Sequence, residues 1–425
     1  MSSLTGLEMI PIKDGKNVDM KYLSHKRLIY LLSILSLLCA CAAPVRTLSH
    51  QQLIDSKDEF VSNYQEDLLH IANKGIARLH QEYVSMSDTK QSYDVLVLSG
   101  GGELGAFGAG FLKGWGEIKQ GEFQRPDFDS VSGISTGALI APFAFVGSPK
   151  AYDDIVNIYR NPDNDMVIKR MLLAFLAGND PYYDATKLHE RIQNSITPNF
   201  VKQIANNAHQ NKLLIVGATN LDFGVMRVWD LGELAMDPSE KQAKEAITTR
   251  LIASSAIPGA FSPVMINKYL YVDGAASMQM LSGIDDVAWL YDNNTQFPYI
   301  QANKSMKIRV WIIINNKLLL DPKITKPTWS EIAKRSLVSL LQSSVLQTIQ
   351  GVETFSRMAN ERAELDVQMR FVAIPQDYPI PLTKKLFDPD TMQDLVDLGK
   401  KMGANPYSWK QKALRPGASI IDVNN

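Results

Sequence analysis

Ser135 lies two residues from glycine on either side, in Gly133-Ile134-Ser135-Thr136-Gly137. That spacing suits the tight strand-to-helix turn that lifts a nucleophile clear of its sheet. A serine there meets the exposed N–H groups of a helix start, which carry about half a positive charge and favour an anion forming beside them. Its chemistry would be attack on a carbonyl, and for that it needs a base. The histidines are His25, His50, His70, His80, His189 and His209. None follows Asp273, so the chain order Ser, acid, His cannot use that aspartate. His189, on a helical segment with Leu188 and Ile192, and His209, in an Asn/Gln-rich stretch, are expected in surface or structural roles. An aspartate acting directly on serine remains, and Asp273-Gly274-Ala275, after the apolar run Tyr269 to Val272, would let a carboxylate approach closely. A free aspartate, with a pKa near 3.9, is a poor base for a hydroxyl, so burial or fixed geometry must supply the missing drive.

Gly100-Gly101-Gly102 follows the apolar run Asp94 to Ser99. Glycines after a strand let backbone N–H groups come close to a negative oxygen, so this loop suits an oxyanion hole. The spelling of residues 100 to 105 also satisfies the dinucleotide turn G-x-G-x-x-G, which requires an acidic residue about twenty positions on at the end of a second strand. Asp127 and Asp129 have that spacing but precede Val131 in the strand feeding the serine turn, which disfavours nucleotide binding.

The elements that must position these groups alternate between apolar strands and helical patterns, which predicts parallel βαβ units with both sheet faces covered. Strands are expected at Val95 to Leu98, Ser130-Val131, Leu213 to Ala218, Arg227 to Leu231, Ile308 to Ile314 and Val367 to Ile374. Helices are expected at Leu104 to Ile118, Thr136 to Val146, Ala243 to Ala253, within Ser330 to Glu364, and from Asp390 to Met402. Upstream, Ser56-Lys57-Asp58-Glu59 has capping-box form, and Val61, Tyr64, Leu68, Ile71, Ile76, Leu79 and Tyr83 recur at helical spacing. This predicts one long amphipathic helix packed on the core. Ser85 to Ser92 reads as a linker, and apolar Met166 to Gly178 as a buried helix or a lid.

With its three glycine-turn motifs in this order, the chain resembles the patatin-like phospholipases from about Asp94 to Ile374. The motif positions are Gly100, Gly102 and Gly105; Gly133, Ser135 and Gly137; and Asp273, Gly274 and Ala275. The stretches 217–221 and 253–259 add to the likeness. The resemblance implies an α/β fold, a three-layer α/β/α sandwich with a mostly parallel central sheet. It also implies hydrolysis of lipid acyl esters by a Ser-Asp dyad through an acyl-enzyme, without metal or cofactor. Ser135 would be the nucleophile, Asp273 the base, and the backbone of Gly100, Gly101 and Gly102 the oxyanion hole. Many members carry Arg or Lys where Leu104 stands, which weakens a phospholipid substrate relative to other acyl esters. A non-catalytic binding module and an acyltransferase are the alternatives on the same fold.

In 425 residues, 44 Lys and Arg balance 45 Asp and Glu, and no basic face suggests a nucleic-acid partner. The basic cluster Lys400, Lys401, Lys410, Lys412 and Arg415 reads as a solvated helix rather than a lipid-headgroup site. Near the start, Lys21, Lys26 and Arg27 precede the apolar run Leu28 to Leu38, then Cys39-Ala40-Cys41-Ala42, in the pattern of an export signal. The end of that run resembles a bacterial lipobox, with Cys41 as the lipidated residue and Met20 as an alternative start. The expected organisation is a signal region (1–40), a tether with the amphipathic helix (41–92), the catalytic domain (93–376) and a C-terminal helical extension (377–425). Ala42 in the next position suggests the periplasmic face of an outer membrane. The expected partners are that membrane and its acyl esters; the sequence names no protein partner.

Overall fold

The computed structural model describes residues 46–84, 92–162, 167–169, 183–283, 306–361, 365–380 and 386–413. Cys39, Cys41 and the segment before them, the linker at 85–91, most of the 166–178 stretch and Arg415 lie outside the described residues.

Among the described residues, eight strands form one sheet: β1 (Ser92–Leu98), β2 (Ser130–Ile134), β3 (Leu213–Asn220), β4 (Val225–Asp230), β5 (Val264–Ile266), β6 (Tyr269–Asp273), β7 (Met306–Ile314) and β8 (Leu365–Ala373). The order β8-β7-β1-β2-β3 is parallel throughout, while β4, β5 and β6 run antiparallel to their neighbours. Parallel strands bury both faces, and β1 does so by alternation. Leu96 and Leu98 join the core on one face, whereas Val97 packs on the other with Val310, Ile312 and Val367.

The first face is covered by α3 (Gly105–Trp115), α4 (Thr136–Val146), α5 (Pro149–Arg160), α6 (Thr186–Ser195), α7 (Pro198–Ala208), α9 (Glu240–Ser254) and α11 (Pro389–Gly403); the short α8 (Leu231–Ala235) packs beside α7 and α9. The second face carries α10 (Trp329–Glu361) and α2 (Lys57–Val84), itself preceded by the short α1 (His50–Asp55). The fold is thus a three-layer α/β/α sandwich with a mostly parallel sheet.

Three local expectations are corrected. The capping box belongs to Ser49 and Gln52 at the start of α1, and Ser56 is the buried junction between α1 and α2, its hydroxyl donating to the Leu53 carbonyl and accepting from Tyr269. Helix α2 is no separate tether element. Its Tyr64, Leu68 and Ile71 pack on β3 and β4, Lys74 pairs with Asp230 at 2.5 Å, and Arg78 grips Asp129 at 2.8 Å. Nor is α11 an extension: it lies so close along α3 that a Cβ at Gly110 or Gly114 would strike the backbone of Val396 or Lys400. Residues from Arg46 onward form one compact unit.

One register decides the site. A strand has two edges, and β4 occupies one of them along residues 215–220 of β3. Both other partners of β3 overlap that span, so they share the remaining edge: β2 along 213–217 and the antiparallel β6 along 218–220. Opposed in direction, the two strands meet end to end. Ile134 pairs with Gly217 and Asp273 with Ala218, which brings the residue after β2 against the last residue of β6.

Candidate active site

Ser135 sits at that junction as the N-cap of α4, with φ 55° and ψ −123°. This left-handed geometry is costly for a residue with a Cβ, on the order of 1–3 kcal/mol, and persists only where surroundings over-determine it. The surroundings are specific. The Ser135 N–H donates to the Ser254 hydroxyl at 3.0 Å, and that hydroxyl donates to the Gly217 carbonyl at 2.6 Å. Gly133 and Gly137 permit the turn itself, since a Cβ on Gly137 would collide with the Leu98 and Ser99 carbonyls.

The Ser135 hydroxyl donates to Oδ2 of Asp273 at 2.6 Å. Oδ1 of the same carboxylate accepts from the Ala275 N–H at 2.8 Å. The chain around Asp273 is held by its own N–H, which donates to the Ala256 carbonyl, and by Thr219, whose hydroxyl donates to the Asp273 carbonyl at 3.1 Å. Asp273 is buried, and loss of water around the charge pushes its pKa up to about 7 against the smaller opposing effect of the Ser135 and Ala275 hydrogen bonds. A carboxylate so placed is a competent proton acceptor near neutrality. The drive that a free aspartate lacks comes from burial.

The glycine loop runs alongside. Gly100 donates its N–H to the Gln279 carbonyl at 3.0 Å, so that group is committed to structure. Among the described residues the N–H groups of Gly101 and Gly102 have no partner, and Gly102, at φ 58°, lines the same cavity as Ser135. A Cβ on Gly101 would overlap the Asn315 carbonyl just past β7, which is why a side chain is excluded at that position. Gly105, just beyond, lets α3 pass against Thr136, and Gly274 lets the Asp273 turn pass against the Gly217 carbonyl.

From Ser135 an apolar cavity runs between the helices of the first face. Leu139, Phe143, Ile155, Leu188, Ile192 and Leu251 line it, with Phe387 and Met392 contributed by α11 and the turn before it. Its lining is mostly apolar and reaches the serine hydroxyl.

The other candidates fall elsewhere. The Ser135 hydroxyl and the Asp273 carboxylate have no hydrogen bond to His189 or His209. Asp127 pairs with Lys212 at 2.5 Å, and Asp129 holds Arg78 and the Asp94 N–H, both at the amino ends of the strands and away from the glycine loop. Leu104 closes the turn before α3 and packs on the core.

Ser254 was not singled out from sequence. It lies in a stretch, Ala253-Ser254-Ser255, whose likeness to the family assigns it no task, and the one signal is that Ser254 continues the helical spacing of Ala243, Ile247 and Leu251, which are buried with it. Its replacement by alanine removes the partner of the buried Ser135 N–H and one bond to the Gly217 carbonyl. Ser254→Ala is therefore expected to cost about 1–3 kcal/mol in urea unfolding and to lower kcat more than it raises KM. Unchanged kcat would show that the Ser135 backbone needs no such brace.

Residues 96–284 match the family model described as patatin-like phospholipase. Among solved structures, the chain is similar to one titled "Crystal structure of VipD from Legionella pneumophila", at 13% identity and a TM-score of 0.36, with 76% of this chain and 68% of that chain covered. No curated protein matches the chain.

Proposed function

The chain carries a patatin-like phospholipase domain at residues 96–284, and from that premise we propose that it hydrolyses the acyl esters of membrane lipids through a Ser135–Asp273 dyad. The observation that carries this reading is the 2.6 Å hydrogen bond between a strained serine and a buried carboxylate whose pKa lies near 7.

The acyl chain lies in the apolar cavity, which presents its carbonyl carbon to Ser135. As Oγ attacks, its proton passes to Asp273, and the carbonyl oxygen becomes an anion within reach of the Gly101 and Gly102 N–H groups. Each well-aimed donor of this kind is worth about 2.7–4 kcal/mol in the transition state. Collapse of the tetrahedral adduct breaks the ester C–O bond, and the proton held on Asp273 goes to the leaving alcohol. Water then attacks the acyl-enzyme, giving its proton to Asp273, and the second collapse returns that proton to Ser135 with release of the fatty acid.

A fluorophosphonate probe tests the assignment directly. One equivalent is expected to attach at Ser135, faster above pH 7 than below it, with the labelled peptide identified by mass. Labelling at another serine, or no labelling at any pH, rejects the dyad.

A further inference from the structure

Helix α10 is longer than the sheet it covers. Its buried residues, Gln342, Val345, Ile349, Val352 and Ser356, all belong to the part from 342 onward. Gln342 donates to the Lys317 and Leu318 carbonyls just past β7, and the Ser344 hydroxyl accepts from the Gln279 N–H. Gln279 in turn receives the Gly100 N–H. This level of the helix is therefore at the carboxyl end of the parallel strands, beside the glycine loop. Residues 329–341 continue past it, and at 1.5 Å per residue they extend about 20 Å beyond that end.

The projecting part has its polarity reversed. Trp329 is 85% exposed, Leu340 68%, Leu337 52% and Ile332 50%, and Ile324 in the approaching loop is 96% exposed. At 100° per residue these four helical side chains share one stripe, opposite the row that is buried further along. Glu331, Lys334 and Arg335 fall on the side continuous with the buried row. A solvated helix end places its charges outward; here the outward face is apolar.

We propose that this tip, residues 324–340, is a docking surface for an anionic lipid bilayer. Charge selects that occupant: residues 323–340 contain four basic side chains, Lys323, Lys326, Lys334 and Arg335, against the single acidic Glu331, which pairs with Lys323, in a chain whose net charge is −1. A tryptophan and aliphatic residues flanked by lysine and arginine have the composition of segments that seat at the headgroup boundary. The tip stands at the same end of the sheet as Ser135, so insertion there brings lipid to the end of the molecule where the serine opens. The choice of a bilayer rests on the acyl-ester reading; the existence of the surface does not.

Quenching of tryptophan fluorescence by brominated phosphatidylcholine tests the proposal with the full chain, in vesicles with and without phosphatidylglycerol. The chain has six tryptophans, so the contribution of Trp329 is the difference between wild type and Trp329→Phe. Quenching is expected in wild type, more so with phosphatidylglycerol, and is expected to fall in Trp329→Phe. The double variant Trp329→Ser/Leu340→Ser is expected to bind such vesicles roughly tenfold or more weakly while turning over a soluble short-chain ester at the wild-type rate. No vesicle binding, or equal quenching in the two forms while the chain is bound, overturns the proposal, the latter because attachment then lies elsewhere. Loss of self-association in the double variant, with vesicle binding unchanged, assigns the stripe to a second copy and also overturns it. Failure of wild type to turn over any ester counts against the dyad alone, because quenching needs no catalysis.

Discussion

Ser135→Ala is expected to lower ester turnover by about 10⁴–10⁶-fold, as loss of a serine nucleophile does when an oxyanion cradle and a binding cavity remain. The structure adds a second expectation. The Ser135 hydroxyl is one of two donors to the Asp273 carboxylate, and both oppose the effect of burial on its ionisation. Without it the carboxylate keeps only the Ala275 N–H, so its pKa moves above about 7. The variant's cost in stability then appears mainly where the carboxylate is ionised. Alanine keeps the same positive φ as serine, so strain is unchanged and the loss reflects the hydrogen bond alone. Urea unfolding at pH 6 and pH 8 checks this: the deficit is expected to be larger at pH 8 and on the order of 1–3 kcal/mol. Turnover within tenfold of wild type would remove Ser135 from the chemistry.

The sequence displayed most of this site because its parts are local. An apolar strand, a glycine turn and a helix start are each written in consecutive residues, and α4 spans Thr136–Val146 as its pattern predicts. Burial of both faces of β1, β3 and β7 was likewise legible from unbroken apolar runs. What was not legible depends on pairing. Nothing in Tyr269 to Asp273 says that β6 runs antiparallel, or that it shares an edge of β3 with β2. Yet that shared edge is what brings residue 135 to residue 273. The same limit hid Ser254, whose work is to bridge Ser135 and Gly217 across three elements. It also hid the place of α11, since periodicity shows that a helix has an apolar face but not which surface receives it. The Gly100 N–H, counted with the oxyanion donors from its type alone, is spoken for by Gln279, a partner far away in sequence. At Ser56 the spelling of a capping box occurs without its geometry, because Ser49 starts a helix about two turns earlier and Ser56 only joins it to the next.

Strain and burial at the dyad work in one direction. Ser135 is held at a φ that disfavours any side chain, and Asp273 is held where water cannot stabilise its charge. Each lowers stability, and each raises reactivity: the first exposes the hydroxyl at the head of α4, the second turns a weak base into one matched to neutral pH. The network around them, Ser254, Thr219 and the Ala256 carbonyl, is rigid backbone and short side chains, which gives neither group room to relax.

Asp273→Asn separates these two effects, since it is expected to destroy activity while stabilising the protein at alkaline pH. The amide is close in shape to the carboxylate. Its oxygen can accept from the Ala275 N–H and its NH₂ can donate to the Ser135 hydroxyl, so the turn keeps its hydrogen bonds. It cannot take the proton, and turnover is expected to fall about 10²–10⁴-fold or more. For stability the sign follows from the folded-state pKa, near 7, against 3.8 in the unfolded chain. Between those values the folded state holds a proton that the unfolded state has released. Wild-type stability therefore declines as pH rises from about 4 to 7 and is level beyond. The asparagine variant lacks this term, so the two proteins are expected to match below about pH 4 and to diverge as pH rises, the variant being more stable at pH 8 by on the order of 2–4 kcal/mol. Parallel denaturation curves for both forms at pH 5 and pH 8 measure it. Wild-type turnover should instead rise around the folded-state value, from about pH 6 to pH 8, because only the ionised carboxylate is a base. A variant no more stable than wild type at pH 8 would show that Asp273 ionises as easily in the fold as in water, and the base would then have to be sought elsewhere.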